Sequence, residues 1–497
     1  MTRSAADVVV IGSGAGGAVT ALELARAGVD VLVIEEGERH SLEDYGASPP
    51  EAMRRLYRRT GMTPITGRVP IGYVEGRCLG GSTEINSGFW HRTPREVLAR
   101  WSARYQLLGA SEEALEPHFS WAERMLGVGP WGREWPMSTR VFARGIEKMG
   151  WSYQEVPRAA PGCQGTNACA QGCPTGAKQG MSRSVLAEAE RLGARVLTGA
   201  RVEQVLVRRG RATGLIVALD GSHGSERLTR VDAEHVFVCG GPTETPSLLY
   251  RSGVKYHVGS TLRIHPYLKV AARFDEELDA DLSVLPLVQV KEFAPELTLG
   301  GGFFTPGQLA MTLSENGREG LSRMRDLRRM ALYYVGVRGT GTGSVRPSLV
   351  GRDGTVIRYD VSDEDVKYLS IGLARLAEAL LAGGAREVIP TVYGLPPLTR
   401  EVDAARWLDE ALPASALSLV TVHAFSSCPI GEARALTAAD SFGRLHEFEN
   451  LYVNDASMLP DSPGVNPQGS IMAFARRNVL EFLDRRGAGR RPEEVRP

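Results

Sequence analysis

The sequence predicts an α/β fold, α+β overall, in which a parallel-strand unit at the N-terminus is joined to a second unit of alternating strands. Three observations predict it. Residues 7–11 (DVVVI) and 29–34 (VDVLVI) are short, β-branched, continuously apolar runs of the kind buried on both faces of a parallel sheet. Between them lie a glycine-rich turn and the helical stretch AVTALELARAG, stopped at Gly28. From about residue 255 to 399 the pattern changes to alternating strands with one long helix, which reads as an antiparallel sheet flanked by helices.

Composition narrows the class. The 58 Lys and Arg residues balance 58 Asp and Glu, so the basic surplus of a dedicated nucleic-acid binder is missing. Apolar residues at 43% are too many for a disordered chain, and six cysteines in 497 residues are too few for a disulfide-stapled scaffold. No apolar run reaches ~18 residues, so no membrane span is expected. The opening MTRSAADVVVIGSG runs into a strand without a secretory apolar segment, and a cytoplasmic location is expected. The 57 glycines cluster in GSGAGG, GRCLGG, VCGG and LGGG, which marks places where backbone comes close to something.

Further along, the arginines Arg54, Arg55, Arg58 and Arg59 read as a solvated helix face. Residues 194–220 read as strands with turns, and HVFVCGG at 235–241 as another buried strand. Ser362 with Asp365 three residues on forms a capping box that opens a helix running to Gly383. NLYVNDA at 450–456 is a buried strand again, followed by a final helix and a tail from about 487 expected to fray.

Gly12-Ser13-Gly14-Ala15-Gly16-Gly17 is a G-x-G-x-x-G between a strand and a helix, the context in which this motif binds a dinucleotide. Gly12 permits the tight turn, Gly14 lets backbone approach a pyrophosphate, and Gly17 lets the helix pack on the strand. Glu35 ends the second strand, where a carboxylate meets ribose hydroxyls and disfavours a 2′-phosphate; FAD or NAD is expected rather than NADP. Glu36 beside it reads as solvated.

Three further segments carry a resemblance. Gly76-Arg77-Cys78-Leu79-Gly80-Gly81-Ser82-Thr83-Glu84-Ile85-Asn86 resembles the first signature of the glucose–methanol–choline (GMC) oxidoreductases. Gly241 to Leu249, followed by Ser252-Gly253-Val254, resembles the second, with Lys255 where a glycine is usual. Val453-Asn454-Asp455-Ala456-Ser457 through Pro460, then Asn466-Pro467-Gln468, resembles the family's closing flavin-contact block. The resemblance implies a Rossmann-like FAD-binding domain from residues 1–90, 190–260 and 415–497, an insert and lid at 91–189, and a substrate domain at 261–414. It implies flavin contacts at Gly12, Ser13, Gly14, Gly17, Glu35, Arg77, Gly80, Gly81, Ser82, Asn86, Val202, Asp455, Pro467 and Gln468. Covalent flavin attachment stays open, with His91 near the first signature.

His423 lies in Thr421-Val422-His423-Ala424-Phe425-Ser426-Ser427-Cys428-Pro429-Ile430-Gly431, similar to the family block H-P-x-G-x-C-x-M-G with Ala424, Ser426 and Ile430 as departures. By that resemblance His423 is the catalytic base, a role an imidazole suits because it titrates near the operating range. Asn466 takes the place of the family's second active-site residue; an amide cannot be the base and would hold the substrate oxygen. His265 in Ile264-His265-Pro266 also matches a recurring position and reads as structural.

Cys163, Cys169 and Cys173, spaced C-x5-C-x3-C, resemble the segment that holds a [3Fe–4S] cluster in some GMC dehydrogenases, and equally a cluster-free segment of other members. An iron–sulfur cluster and a structural loop both stay open, whereas zinc lacks a nearby fourth ligand. Cys78, Cys239 and Cys428 read as small buried apolar residues. The function implied is hydride transfer from a CH–OH group to flavin, giving an aldehyde or ketone, with oxygen or another acceptor taking the electrons. The substrate expectation leans to a primary hydroxyl of a sugar or aminoglycoside, as in antibiotic tailoring; a sterol or long-chain alcohol oxidase, or a non-redox lyase of the family, is the alternative.

Overall fold

The computed structural model describes residues 4–220, 226–315, 317–348 and 354–488, and the tail expected to fray lies largely outside them. The N-terminal unit forms as the hydrophobic runs dictate: β1 (Ser4–Ile11), α1 (Ala15–Arg26) and β2 (Val31–Ile34), with Val8 to Ile11 paired in parallel register to Val31 to Ile34. These strands lie in a seven-stranded sheet ordered Arg195–Leu197, β2, β1, Glu226–Val238, Arg211–Asp220, Ala200–Arg208, with Leu451–Val453 also paired to Glu226–Val238. The last part of Glu226–Val238 runs parallel to β1, while its earlier residues pair antiparallel with Arg211–Asp220. Gly28, at φ +71°, turns the chain after α1 as its position predicts.

Three backbone crossings at the start of α1 leave no room for a side chain. A Cβ on Gly12 would overlap the carbonyl of Cys239, one on Gly16 the carbonyl of Asn454, and one on Gly17 the carbonyl of Gly12. The turn after β1, the end of Glu226–Val238 and the segment after Leu451–Val453 are therefore pressed together.

The second sheet has eleven strands, mostly antiparallel. Its Tyr267–Phe274 strand is paired on one side by Met330–Val337 and on the other by Ala385–Pro390 and Leu419–Thr421. Helix Asp363–Ala382 covers this sheet together with Met137–Met149 and carries the expected capping box: Ser362 Oγ accepts from Asp365 N (2.9 Å) and Asp365 Oδ2 from Ser362 N (3.1 Å). The Asp365 carboxylate also accepts from the N–H groups of Thr340 (2.7 Å) and Gly341 (3.0 Å), so the cap fastens this helix to the loop after Met330–Val337.

Residues 91–189 are not a separate insert. Arg95–Tyr105 and Glu112–Leu126 bury Trp101 and Phe119 in the core of the first sheet. Met137–Met149 packs in the core of the second, and Tyr153–Glu155 is its edge strand. Thr63–Thr66 and Ile71–Tyr73, within the stretch expected to bind nucleotide, also belong to the larger sheet. Among the described residues, no helix is long and apolar enough to cross a membrane.

The crossings make a direct prediction. Gly16→Ala should destabilise the FAD-free protein by about 1–3 kcal/mol through overpacking. Gly14→Ala, where nothing lies within 4 Å of the new methyl, should shift the denaturation midpoint far less. Equal midpoints for the two variants in urea titrations would contradict this packing.

Candidate active site

A cavity of about 490 Å³ runs between the two sheets and takes its walls from both. At one end the two glycine loops face each other. Gly81 stands so close to Gly14 that a Cβ on it would lie 3.2 Å from the Gly14 Cα. Ser13 joins them: its N–H (3.0 Å) and Oγ (2.6 Å) both donate to Glu35 Oε2, and Gly80 N–H donates to the same Oγ (2.9 Å). Glu35 Oε1 accepts from Gly37 N (2.8 Å). Burial raises the Glu35 pKa, and these hydrogen bonds oppose the rise. Bare backbone at a helix N-terminus, with a carboxylate at the end of β2, fits the pyrophosphate and ribose of a dinucleotide.

Beside Glu35 the expectation of solvated charges fails. Glu36 pairs with Arg58 Nη2 (2.7 Å) and Arg77 Nε (2.9 Å), and Arg58 also reaches Glu75 (3.1 Å) and Glu244 (3.9 Å). Glu36, Arg58, Glu75 and Glu244 all line the cavity. Burial alone would raise the Glu36 pKa, but Arg58 and Arg77 outweigh it and hold the carboxyl at about 2. Arg58 therefore balances a buried cluster of carboxylates, whereas Arg55 pairs with Asp44 (2.5 Å) nearer the surface.

Of the expected flavin residues, Gly12, Ser13, Gly14, Glu35, Gly81, Ser82, Asn86, Val202, Asp455, Pro467 and Gln468 line the cavity. Gly17, Gly80 and Arg77 do not: Gly17 packs under Gly12, Gly80 bonds to Ser13, and Arg77 holds Glu36. The Asp455 carboxylate is already engaged, accepting from Gly241 N (2.8 Å), Thr245 Oγ1 (2.5 Å) and Ser457 N (2.7 Å), which leaves its backbone to face the cavity. Asn86 Nδ2 donates to Gln468 Oε1 (2.7 Å) and ties the first signature to the start of helix Gln468–Ala488.

His423 follows strand Leu419–Thr421, and the short ladder pairing Arg263–Ile264 with Ala424–Phe425 brings His265 beside it. Its Nδ1 lies 2.9 Å from Tyr267 Oη and 3.1 Å from His265 Nδ1; among the described residues its Nε2 has no hydrogen-bond partner. His265 Nε2 accepts from Gly464 N (3.2 Å), so neutral His265 carries its proton on Nδ1 and offers it to His423. Tyr267 can instead accept from His423 Nδ1, the arrangement that leaves Nε2 with a free lone pair. Burial lowers the His423 pKa to about 3, so the ring is neutral at ordinary pH. Asn466 lines the same cavity; Gln289 Nε2 donates to its Oδ1 (3.4 Å), which leaves its NH2 group for a ligand. Tyr267 had no sequence signal, and the motif position of His265 did not show that it would stand beside His423. His91 lines a different, smaller cavity with Lys291, 3.4 Å away.

The three clustered cysteines do not assemble a ligand set. Among the described residues, no three His, Cys, Asp or Glu side chains stand where they could hold a metal ion. The Arg158 guanidinium sits against the Sγ atoms of Cys163 (3.5 Å) and Cys169 (3.4 Å), while Cys173 Sγ meets Thr175 Oγ1 and Lys178 N (both 3.4 Å). Arg158 gives two of these thiols a cationic hydrogen-bond donor. The segment instead braces the first signature, since buried Lys178 Nζ donates to the carbonyls of Glu84 (2.6 Å), Asn86 (2.8 Å) and Cys169 (2.8 Å). Cys78, Cys239 and Cys428 are buried as expected.

Fold and cavity together define an FAD-dependent oxidoreductase. The chain matches the GMC oxidoreductase family over residues 53–267 and 342–475, and an FAD-binding domain over 7–44. It is 40% identical over 478 residues to a GMC-type oxidoreductase of Sinorhizobium fredii, covering 95% of this chain and 93% of that one. It is 28% identical over 521 residues to a long-chain-alcohol oxidase of Arabidopsis thaliana, covering 97% of this chain and 67% of the relative. Among solved structures it resembles pyridoxine 4-oxidase from Mesorbium loti, with a TM-score of 0.68 at 18% identity over 96% of this chain and 99% of that one. The chain belongs to the GMC oxidoreductase family.

The carboxylate cluster yields a test of the electrostatics. Arg58→Met should cost about 3–5 kcal/mol, because it leaves buried carboxylates without their counter-charge. Because the Glu36 carboxyl sits below its ordinary value of 4.5, its contribution is complete above that pH and fades as pH falls towards 2. Denaturation of the FAD-free protein between pH 7 and 3 should therefore show a shallower acid loss in Glu36→Gln than in the parent.

Proposed function

We propose that this enzyme oxidises a primary alcohol on a carbon chain to the aldehyde, with His423 as base and Asn466 holding the substrate oxygen. One observation carries the reading: among the described residues, His423 Nε2 and the Asn466 amide NH2 are both free of protein partners, in one cavity with the flavin-binding loops. Bound FAD supplies the acceptor for the hydride of the carbinol carbon.

With its Nδ1–H hydrogen-bonded to Tyr267 Oη, His423 takes the hydroxyl proton at Nε2. The alkoxide that results releases hydride far more readily than the alcohol, so the base acts on the barrier itself. Asn466 donates to the same oxygen and fixes the carbinol carbon for transfer. His265 favours the opposite tautomer of His423, and Tyr267 is the group that must win. The electrons leave to oxygen or another acceptor.

A carbon chain is favoured over a sugar or aminoglycoside on three grounds. Leu285, Phe303, Leu332, Val420 and Val422 give the cavity wall apolar surface. Relatives with 28% identity carry the name long-chain-alcohol oxidase. A polycationic aminoglycoside would also bring like charge against Lys269 in that wall.

His423→Ala should slow anaerobic flavin bleaching by a primary alcohol at least ~10²-fold, and Asn466→Ala by about 10–10²-fold, with FAD retained in both. Tyr267→Phe, which removes the acceptor for the Nδ1 proton, should slow it by about 10-fold. Since burial puts the imidazole well below 6.5, the parent rate should not drop as pH falls through that value. Near-parent bleaching by His423→Ala would make the histidine structural.

A further inference from the structure

We propose that Lys269 and Tyr334 form an anion-recognition subsite in the substrate cavity, so that the preferred alcohol carries a carboxylate at the far end of its chain. The inference rests on the alcohol reading of the same cavity and names the class of alcohol.

Lys269 lies in Tyr267–Phe274, a strand hydrogen-bonded along both edges, so its side chain can only stand on one face or the other. Leu268 and Val270 point into the core of the second sheet. Strand alternation therefore puts Lys269 on the opposite face with Tyr267, and both residues line the cavity. Tyr267 touches His423, and side chains two apart on a strand stand about 7 Å apart. The ammonium is thus one short carbon chain away from the proposed base.

Lys269 lies in the interior, and among the described residues its ammonium has neither a hydrogen bond nor an ion pair. Burial alone lowers its pKa; no carboxylate comes near enough to contribute. The arginines of the cavity wall are all engaged: Arg58 faces Glu36, Glu75 and Glu244, Arg201 pairs with Glu203 (3.6 Å), and Arg251 donates to Glu203 O (3.4 Å) and Ser247 Oγ (2.9 Å). A buried amine without a counter-charge is costly, and a ligand carboxylate removes that cost.

A second donor stands directly opposite. The sheet register pairs Lys269 with Tyr334, which also lines the cavity and whose Oη accepts from Gln289 Nε2 (2.8 Å). With that lone pair engaged, the Tyr334 O–H is free to donate into the cavity. Cβ atoms of such a cross-strand pair lie about 5 Å apart, so one carboxylate can take both donors. Val420, paired with Tyr267, and Leu332 give the same cavity apolar surface that suits the methylene chain.

The test compares 6-hydroxyhexanoate with 1-hexanol as reductants of the FAD-loaded enzyme, and uses hexanoate, which has no carbinol, as a binding probe read by perturbation of the flavin spectrum. The parent should favour the hydroxy acid by at least ~10-fold in kcat/KM, and Lys269→Met should lower that ratio by about 10–10²-fold and abolish hexanoate binding. Tyr334→Phe, which removes one neutral donor, should lower the ratio by a few-fold. A parent that prefers 1-hexanol, or a ratio unchanged in Lys269→Met, overturns the proposal. So does a Lys269→Met enzyme whose flavin spectrum or FAD affinity changes with no alcohol present, which would assign the ammonium to the cofactor. If neither alcohol bleaches the flavin, the alcohol reading fails, while hexanoate binding in parent and variant still decides the subsite.

Discussion

Everything at the active site depends on backbone meeting backbone at the start of α1. Gly16 lies against the carbonyl of Asn454 and Gly12 against that of Cys239, with no space for a methyl between them. This contact brings the last strand, Leu451–Val453, and the segment that follows it up to the nucleotide turn. Asp455 then fastens the same segment to the N-terminus of helix Gly241–Arg251 through Gly241 N and Thr245 Oγ1. Asn466, Pro467 and Gln468 leave that anchored segment and reach the other wall of the cavity. The alcohol-facing residues are thus positioned by the same glycines that admit the dinucleotide.

Charge is arranged along the cavity with the same economy of contacts. At the nucleotide end, Arg58 sits among Glu36, Glu75 and Glu244, and Arg77 adds a second cation on Glu36. At the reacting end, the imidazole of His423 is buried and neutral, and two neighbours compete for one of its nitrogens. Tyr267 as acceptor leaves a base facing the cavity; His265 as donor removes it. Further along the strand, Lys269 has no charged partner among the described residues, and a ligand can supply one.

What was legible in the sequence is what local chemistry fixes. The β1–α1–β2 unit shows in its β-branched runs and glycine spacing, and the Ser362–Asp365 cap in two residues three apart. Glu35 is placed by the length of its strand. Arg58 looked solvated because its neighbours in sequence are arginines, and only tertiary pairing supplies its carboxylates. Tyr267, Tyr334 and Lys269 gain meaning from cross-strand register in the larger sheet, which no short motif encodes. Residues 91–189 divide between two cores because separate helices within them carry separate apolar faces. The cysteine spacing was readable, but the thiol surroundings are set by Arg158, which lies outside the spacing.

The central claim is that an alcohol gives up its carbinol hydrogen as hydride in this cavity. The most direct measurement is anaerobic mixing of the FAD-loaded enzyme with a primary alcohol and with the same alcohol deuterated at the carbinol carbon, following flavin absorbance and aldehyde together. The account predicts bleaching with one aldehyde formed per flavin, and slower bleaching with the deuterated alcohol. Aldehyde formed while the flavin stays oxidised, or bleaching indifferent to deuterium when substrate saturates the enzyme, would contradict it.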